Sequence, residues 1–373
     1  MYKRQPVPWF SARSVAGAKI ELQVNAGRWI VLSFNGTATE PRAIAELQSL
    51  IQQQHLFNED KLIAFGVLIG AMKDLDLLAP FCSPALSFIA DSDGALSRLY
   101  GADVMPRTVI VDPMLRAIAN VSWDHPEGHA NVVAATLKAL PDVDAAAGVP
   151  LTAPALIVPR VFEFPFCDLL VKFCEEHGAP DSGVGLEQND HKRRCDLAIV
   201  DPWLRTAVRD RIVRRLVPEI DRYFQFKATR MDRYMVSCYD SAVGGHFSRH
   251  RDNSNFAARH LRFAASINLN HDYDGSDLIF PEFGRRIYRA PVGGAIIYSC
   301  GALHQVTPIT RGKRYAFVPF FYGEEDVTLR RASNVYLRDG EARYTAEQDM
   351  LYPEIIAPGL VPAADTSLPE PIE

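Results

Sequence analysis

The chain has little cysteine. Six occur in 373 residues, Cys82, Cys167, Cys174, Cys195, Cys238 and Cys300, and no two form a CxxC pair. That density excludes a disulfide scaffold and leaves six reduced, mostly buried thiols as the expectation. Long apolar runs are missing too. The longest, Leu62 to Met72, is well short of the roughly 20 residues a membrane-spanning helix needs. The opening Met-Tyr-Lys-Arg-Gln-Pro leads into no apolar signal core, so a cytoplasmic location is expected. A basic surplus is absent: Lys+Arg 40 against Asp+Glu 45 leaves a net charge of −5. Proteins that depend on neutralising phosphates usually show the opposite balance, so neither nucleic acid nor membrane is expected as a partner. No internal repeat or long low-complexity tract is visible. What remains is an ordinary globular composition, 48% hydrophobic and 23% charged, long enough for two domains.

One composition shift divides the chain. Pro141 to Pro159 holds four prolines and a run of small residues, which reads as a linker over 146–154. Before it, strand and helix signals alternate. Lys19–Val24, Trp29–Phe34, Leu62–Ile69, Leu86–Ala90 and Thr108–Val111 read as strands. Pro41 opens a helix with Ile44, Leu47, Leu50 and Ile51 on one face, and 124–140 reads as another helix. Such alternation predicts an α/β layer fold over 1–145. After the linker, helices at 166–177 and 203–224 precede short strands from Arg230 onward, which predicts a β-sandwich or jelly roll buttressed by helices over 155–325. Residues 326–373 are expected to form a C-terminal extension, partly disordered.

The strongest local signal is GGHFSRHRD, residues 244–252. In an extended strand, residues two apart share a face, so His250 and Asp252 can hold one metal together. Two His and one carboxylate leave positions open on an iron ion, the arrangement of non-haem Fe(II) oxygenases. His304 ends a later strand and supplies the third ligand. Arg314 follows ten residues on, and a guanidinium suits the far carboxylate of a dicarboxylic cosubstrate. Lys313 is the competing anchor. His246 shares the face of His250 if no bulge intervenes, and reads as a hydrogen-bonded neighbour rather than a ligand. His260 and His271 read as surface residues. Arg249, Arg251, Arg259 and Arg262 read as a solvated basic face, with contact to an acidic substrate as the alternative.

This half resembles the prolyl 4-hydroxylase-like 2-oxoglutarate/Fe(II) dioxygenases over about 155–325, through residues 244–252, Arg262 to Asn268, Asp274 to Gly284 and the His304–Arg314 block. The resemblance implies a double-stranded β-helix. It makes His250, Asp252 and His304 the iron ligands and catalytic centre, with Arg314 and Tyr239 on the 2-oxoglutarate. It also implies hydroxylation of a substrate with release of succinate and CO2, and makes ascorbate a candidate reductant. Related halogenases carry a small residue at the Asp252 position, so a carboxylate there favours hydroxylation.

The first half resembles the alkyl hydroperoxide reductase/thiol-specific antioxidant family of peroxiredoxins, with a thioredoxin-like fold. The matching stretches are Pro8-Trp9-Phe10, Arg28 to Phe34, Ile89 to Gly94, Leu99-Tyr100-Gly101 and Pro106 to Pro113. That family needs a thiolate in the first turn of the helix after the strand, where the helix dipole and an Arg lower its pKa. Here Ala43 and Glu40 stand where the cysteine and the Thr or Ser belong. Arg107 matches the family's Arg, and no cysteine precedes Cys82. A peroxidase-inactive domain is therefore expected, with Cys82 a structural residue. A homodimer through this domain is a candidate assembly. The substrate, whether protein or peptide, amino acid or small metabolite, stays open. The rival readings are a non-catalytic scaffold whose degenerate domain docks partners, and a thiol peroxidase acting through Cys82.

Overall fold

The structure, a computed structural model, describes residues 4–37, 39–178, 192–336, 345 and 349–352. In the first half a five-stranded sheet runs in the order Leu86–Ala90, Leu62–Ile69, Trp29–Thr37, Arg107–Val111, Ala117–Ser122. The first three strands are parallel, and Arg107–Val111 pairs antiparallel with both Trp29–Thr37 and Ala117–Ser122. Leu62–Ile69 is apolar almost throughout because both its faces are covered: Ile63, Phe65 and Val67 join one core cluster, Ala64 and Leu68 another. Helix Pro41–Gln52 packs on the second cluster through Ala43 and Leu47. Ile44, expected on that face, is exposed, because the buried stripe starts one residue earlier, at Ala43. The helix expected over 124–140 is only His129–Lys138, since Pro126 and the positive-φ Gly128 stop it from starting sooner.

The second half is built on two antiparallel sheets. The nine-stranded sheet has the main path Cys195–Ala198, Met235–Asp240, Ile309–Phe317, Phe263–Asn268, Ala295–Ser299, Leu156–Val158. The five-stranded sheet runs Ile287–Tyr288, Leu278–Ile279, His304–Val306, His246–His250, Lys192–Arg193. Period-two alternation assigns the faces of the larger sheet. Val236, Cys238, Ala265, Ile267, Ile297 and Phe317 face a core shared with helices Phe164–His177, Pro202–Arg215 and Val217–Phe224. Tyr239, Ala264, Ile296, Tyr298 and Ala316 point the other way, into a cluster with Leu278 and Val306 of the smaller sheet. The candidate metal-binding motif lies beside this second cluster.

The single helix expected over 203–224 is two, broken at Leu216. Pro218 has no N–H to donate and its ring clashes with the carbonyl four residues back, so it can only sit in the first turn of a new helix. Pro319 likewise splits the last expected strand into Ile309–Phe317 and Phe320–Tyr322. Of the extension expected from 326 onward, Val327–Ala332 form a helix, Met350 bridges Arg230 and Leu351 joins the core. Residues 337–344, 346–348 and 353–373 lie outside the described residues.

The two halves pack closely. Leu303, one residue before His304, is fully buried in the core of the first half. Gly27 (φ +81) lies against Pro281, where an added Cβ would come within 2.4 Å of the proline Cβ. Arg285 of the second half pairs with Asp142 (2.6 Å) and Asp144 (2.9 Å) at the end of the first. All six cysteines carry free thiols. Among the described residues, no helix is long and apolar enough to cross a membrane.

Candidate metal centre

His250 ends the strand His246–His250, and its Cα partner across the smaller sheet is His304, the first residue of the next strand. Sheet pairing therefore sets the two imidazoles side by side, with ring centroids 4.2 Å apart. Asp252 lies just beyond the strand, where its N–H donates to the Cys300 carbonyl at 3.0 Å. Its carboxylate oxygens stand 3.4 Å from His250 Nε2 and 3.6 Å from His304 Nε2. One ligand atom from each of the three residues lies within 4.8 Å of the others. The structure thus brings together the three residues that the sequence placed at one site.

The turn before the strand depends on glycine. A Cβ on Gly245 would meet the Asp240 backbone nitrogen at 2.8 Å, so only glycine lets the chain fold back so tightly against Met235–Asp240. A register shift between Phe247 and His250 then turns the strand. As a result Phe247, three residues before His250, stacks on its ring at 3.6 Å and 19°. His246 is carried off the cavity lining, and its Nδ1 lies 2.8 Å from the Gly244 carbonyl.

Both imidazoles are held in one tautomer. Nδ1 of His250 donates to the Ser248 carbonyl at 2.7 Å, and Nδ1 of His304 to the Ala302 carbonyl at 3.1 Å. Each Nε2 is turned toward Asp252, the orientation that metal-ligating histidines require. Burial, with His250 beside it, lowers the His304 pKa to about 4, so the ring is neutral at physiological pH. Burial pushes the Asp252 carboxyl up, but the facing His304 and His250 outweigh it and hold the group below the usual carboxylate range. Asp252 Oδ2 is buried with no hydrogen-bond partner. A buried charged oxygen is costly unless something meets it, and a cation between two imidazoles and one carboxylate does so. The residues present therefore fit a divalent metal ion such as iron.

Arg314 lines the same cavity, which has a volume of about 400 Å³. It pairs across the larger sheet with Tyr239, while its neighbour Lys313 pairs with Asp240. Strand alternation thus turns Arg314 inward and Lys313 outward. Lys313 is exposed and bound to Asp240 at 3.2 Å. Buried Arg314 donates to Ser266 Oγ (2.9 Å), the Ser276 carbonyl (3.1 Å) and, more weakly, Asn268 Oδ1 (3.4 Å). These are neutral acceptors, and they use three of the five N–H donors of a guanidinium. Among the described residues no carboxylate pairs with Arg314. The side chain is fixed in place with its charge unmet. Tyr239 is buried beside it, 5.6 Å from ring centroid to guanidinium, and its hydroxyl accepts from Arg194 at 3.1 Å.

Other lining residues are not evident from motif reading. Arg194 is buried between Tyr239 and Asp196. Burial opposes its charge, yet those two partners raise its pKa above the usual value. Tyr298 lies 3.3 Å from His304 Nε2. Ser266 and Asn268 carry the one legible signal: two polar residues, two apart, in the otherwise apolar strand Phe263–Asn268, mark a polar inner face.

Several sequence expectations are corrected. His260 is buried, not on the surface, with its Nε2 3.4 Å from Asp232. His271 is exposed as expected. The four arginines do not form one basic face. Arg249 reaches Gln305 and the Ala26 carbonyl, Arg251 is buried against Glu282, Arg259 lies over Phe256 and Arg262 pairs with Asp326. In the first half, Ala43 is fully buried in the first turn of its helix, where the resemblance called for a thiolate. Thr37 Oγ1 donates to Glu40 at 2.9 Å, and Cys82 is half-buried near the Leu78 carbonyl.

The fold and the site together describe an α/β half joined to a mainly-β half that holds a His–Asp–His cluster beside a buried arginine. No family model matches the chain. Over part of its length the chain is homologous to PKHD-type hydroxylases, which are prolyl 4-hydroxylase-like. It is 35% identical over 91 residues to one from a Synechococcus strain, an alignment covering 22% of this chain and 40% of that protein. It is 40% identical over 82 residues to another from Nitrobacter winogradskyi, covering 20% and 36%. The chain thus spans about two fifths of the length of these relatives. Among solved structures, a Pseudomonas putida prolyl-4-hydroxylase is similar with a TM-score of 0.38 at 15% identity, over 48% of this chain and 95% of that one. The bacterioferritin comigratory protein of Xanthomonas campestris gives a TM-score of 0.31 at 22% identity, over 35% and 90%.

Proposed function

We propose that this protein is an Fe(II)- and 2-oxoglutarate-dependent dioxygenase that hydroxylates a substrate with release of succinate and CO2. The observation that carries this reading is the convergence of His250, Asp252 and His304, with Asp252 Oδ2 unpartnered, in the cavity that also holds Arg314 with its charge unmet. On this reading the two antiparallel sheets of the second half are the walls of a double-stranded β-helix, and 155–325 is the catalytic domain.

His250, Asp252 and His304 would hold the iron, and bound iron would supply activation of oxygen with oxidative decarboxylation of the cosubstrate. The chain's own residues bind and orient. The Ser248 and Ala302 carbonyls fix the imidazoles, and Arg314 takes the 5-carboxylate of 2-oxoglutarate with its two remaining donors. Ser266, Asn268 and the Ser276 carbonyl keep that guanidinium in place, and Tyr239 walls the same pocket. Ascorbate is the candidate reductant that restores Fe(II). The first half is a fold kept without thiol chemistry, and a homodimer through it remains part of this reading.

The test is anaerobic addition of Fe(II) and then 2-oxoglutarate to the full chain, watched for the metal-to-ligand charge-transfer absorption, followed by oxygen and assay of succinate. A charge-transfer band and iron-dependent succinate are the expected results. Neither appearing, in protein that folds and binds no iron, supports the scaffold reading instead.

A further inference from the structure

Among the described residues, five cations line the cavity, Lys192, Arg194, Arg233, Arg251 and Arg314, against a single carboxylate, Asp252. Arg251 is met by Glu282 at 2.9 Å, and Lys192 and Arg194 both bind Asp196. On the dioxygenase reading Arg314 is taken by the cosubstrate. Iron, one ligand carboxylate, the doubly charged cosubstrate and Arg314 then balance. Arg233, an exposed side chain, is left over, and among the described residues it forms no ion pair.

Arg233 is also held in an unusual way. It joins strand Arg230–Asp232 to strand Met235–Asp240 with φ +65, a left-handed conformation that residues other than glycine seldom adopt. The acidic residue beside it, Asp232, faces His260 and Arg330 and lies in the field of Arg233 without forming an ion pair with it. The Arg233 guanidinium stands 4.6 Å from the ring centroid of Phe320, which is buried and lines the same cavity. A cation held over an aromatic face keeps its position while its N–H donors stay available.

We propose that Arg233 anchors an anionic group, a carboxylate or a phosphate, on the primary substrate. Because Arg233 and the metal ligands line one cavity of about 400 Å³, the anion and the oxidised carbon belong to one small acidic molecule. The inference rests on the dioxygenase reading for the identity of the reacting centre.

The experiment uses the full chain, loaded anaerobically with Fe(II) and saturated with 2-oxoglutarate so that Arg314 is occupied. Benzoate, phenyl phosphate and neutral benzamide are titrated by calorimetry. At least one of the two anions should bind and benzamide should not. Arg233→Gln should weaken the anion at least tenfold, and Arg233→Lys should retain part of the affinity. Arg233→Gln should leave the melting temperature and the 2-oxoglutarate charge-transfer band unchanged, which separates this role from folding and from cosubstrate binding. Equal anion binding by Arg233→Gln and the native chain overturns the proposal. So does binding of benzamide as tight as that of the anions, or no anion binding at millimolar concentration. A missing charge-transfer band in the native chain, with Arg233-dependent anion binding intact, sinks the dioxygenase reading and leaves the anion site standing.

Discussion

Arg251 and Glu282 are joined by two parallel hydrogen bonds, of 3.1 and 2.9 Å, between the residue that separates His250 from Asp252 and the turn Pro281–Phe283. Glu282 also accepts the backbone N–H of Leu303, beside His304, at 3.1 Å. One carboxylate thus ties together the chain segments that carry all three candidate ligands. The same arginine reaches the Gln23 carbonyl at 3.3 Å and lies 5.0 Å from the ring of Trp9, so the first half of the chain braces the metal site from behind.

Glu282→Gln should therefore loosen the site without touching a ligand. Removing one partner of a buried ion pair leaves the other uncompensated, at a cost on the order of 3 kcal/mol. Loss of a group that orients metal ligands typically lowers metal affinity by roughly 10–100-fold. Chemical denaturation and Fe(II) titration check both. An unchanged iron affinity would remove Glu282 from any positioning role.

Replacing a ligand should be more severe. His250→Ala, Asp252→Ala and His304→Ala each take away one of three protein ligands, and iron-dependent 2-oxoglutarate turnover should fall to background in all three. Succinate release by a well-folded His304→Ala protein at the native rate would disprove the triad.

Arg314→Ala should leave Fe(II) binding intact while 2-oxoglutarate affinity falls about 10²–10³-fold, because a buried carboxylate loses its cation at a cost of roughly 3–5 kcal/mol. Arg314→Lys should be intermediate, since the charge stays and the planar fork is lost. Lys313→Ala should change nothing, because that side chain is exposed on the other face of the strand. Cosubstrate titration into anaerobic iron-loaded protein distinguishes them.

A pH effect on stability is expected from Asp349. Burial, with Asp232 nearby, raises its pKa to about 6, while the Tyr322 hydroxyl and Arg330 pull the other way. The unfolded value is near 4, so between these limits the folded chain holds a proton that the unfolded chain has released. The contribution of this group is therefore lost as pH rises from about 4 through 6. Asp232, whose pKa is lowered to about 2, loses its own contribution only below the ordinary carboxylate range. Asp349→Asn should match the native chain near pH 4 and become the more stable protein above pH 6, by up to about 2 kcal/mol. Denaturant melts across that range test it, and parallel curves would refute it.

The full chain should not consume hydrogen peroxide by thiol chemistry. Ala43 occupies the first helical turn where a thiolate would be needed, and a methyl group cannot attack a peroxide. Peroxide loss that disappears in Cys82→Ser would show that the chain uses a displaced thiol instead.

The sequence by itself determined the local terms of this protein. The apolar run Leu62–Ile69, the proline at the start of helix Pro41–Gln52 and the spacing from His250 to Asp252 are short-range patterns, and short-range sterics and periodicity fix what they become. The step of ten from His304 to Arg314 also carried the candidate cosubstrate anchor, because both flank one hairpin-like return of the chain. The choice between Arg314 and Lys313 could not be read the same way. It depends on the register Tyr239↔Arg314, a pairing between residues 75 positions apart that the sheet order alone creates. The bulge that swings His246 away and stacks Phe247 on His250 breaks the period-two rule, and nothing local announces it. The burial of His260, the placement of Arg194 and Arg233 in the cavity, and the Arg251–Glu282 pair behind the ligands arise in the same manner. Each joins side chains whose separation in sequence is bridged only when two sheets and two halves close on one another, so tertiary structure decided them.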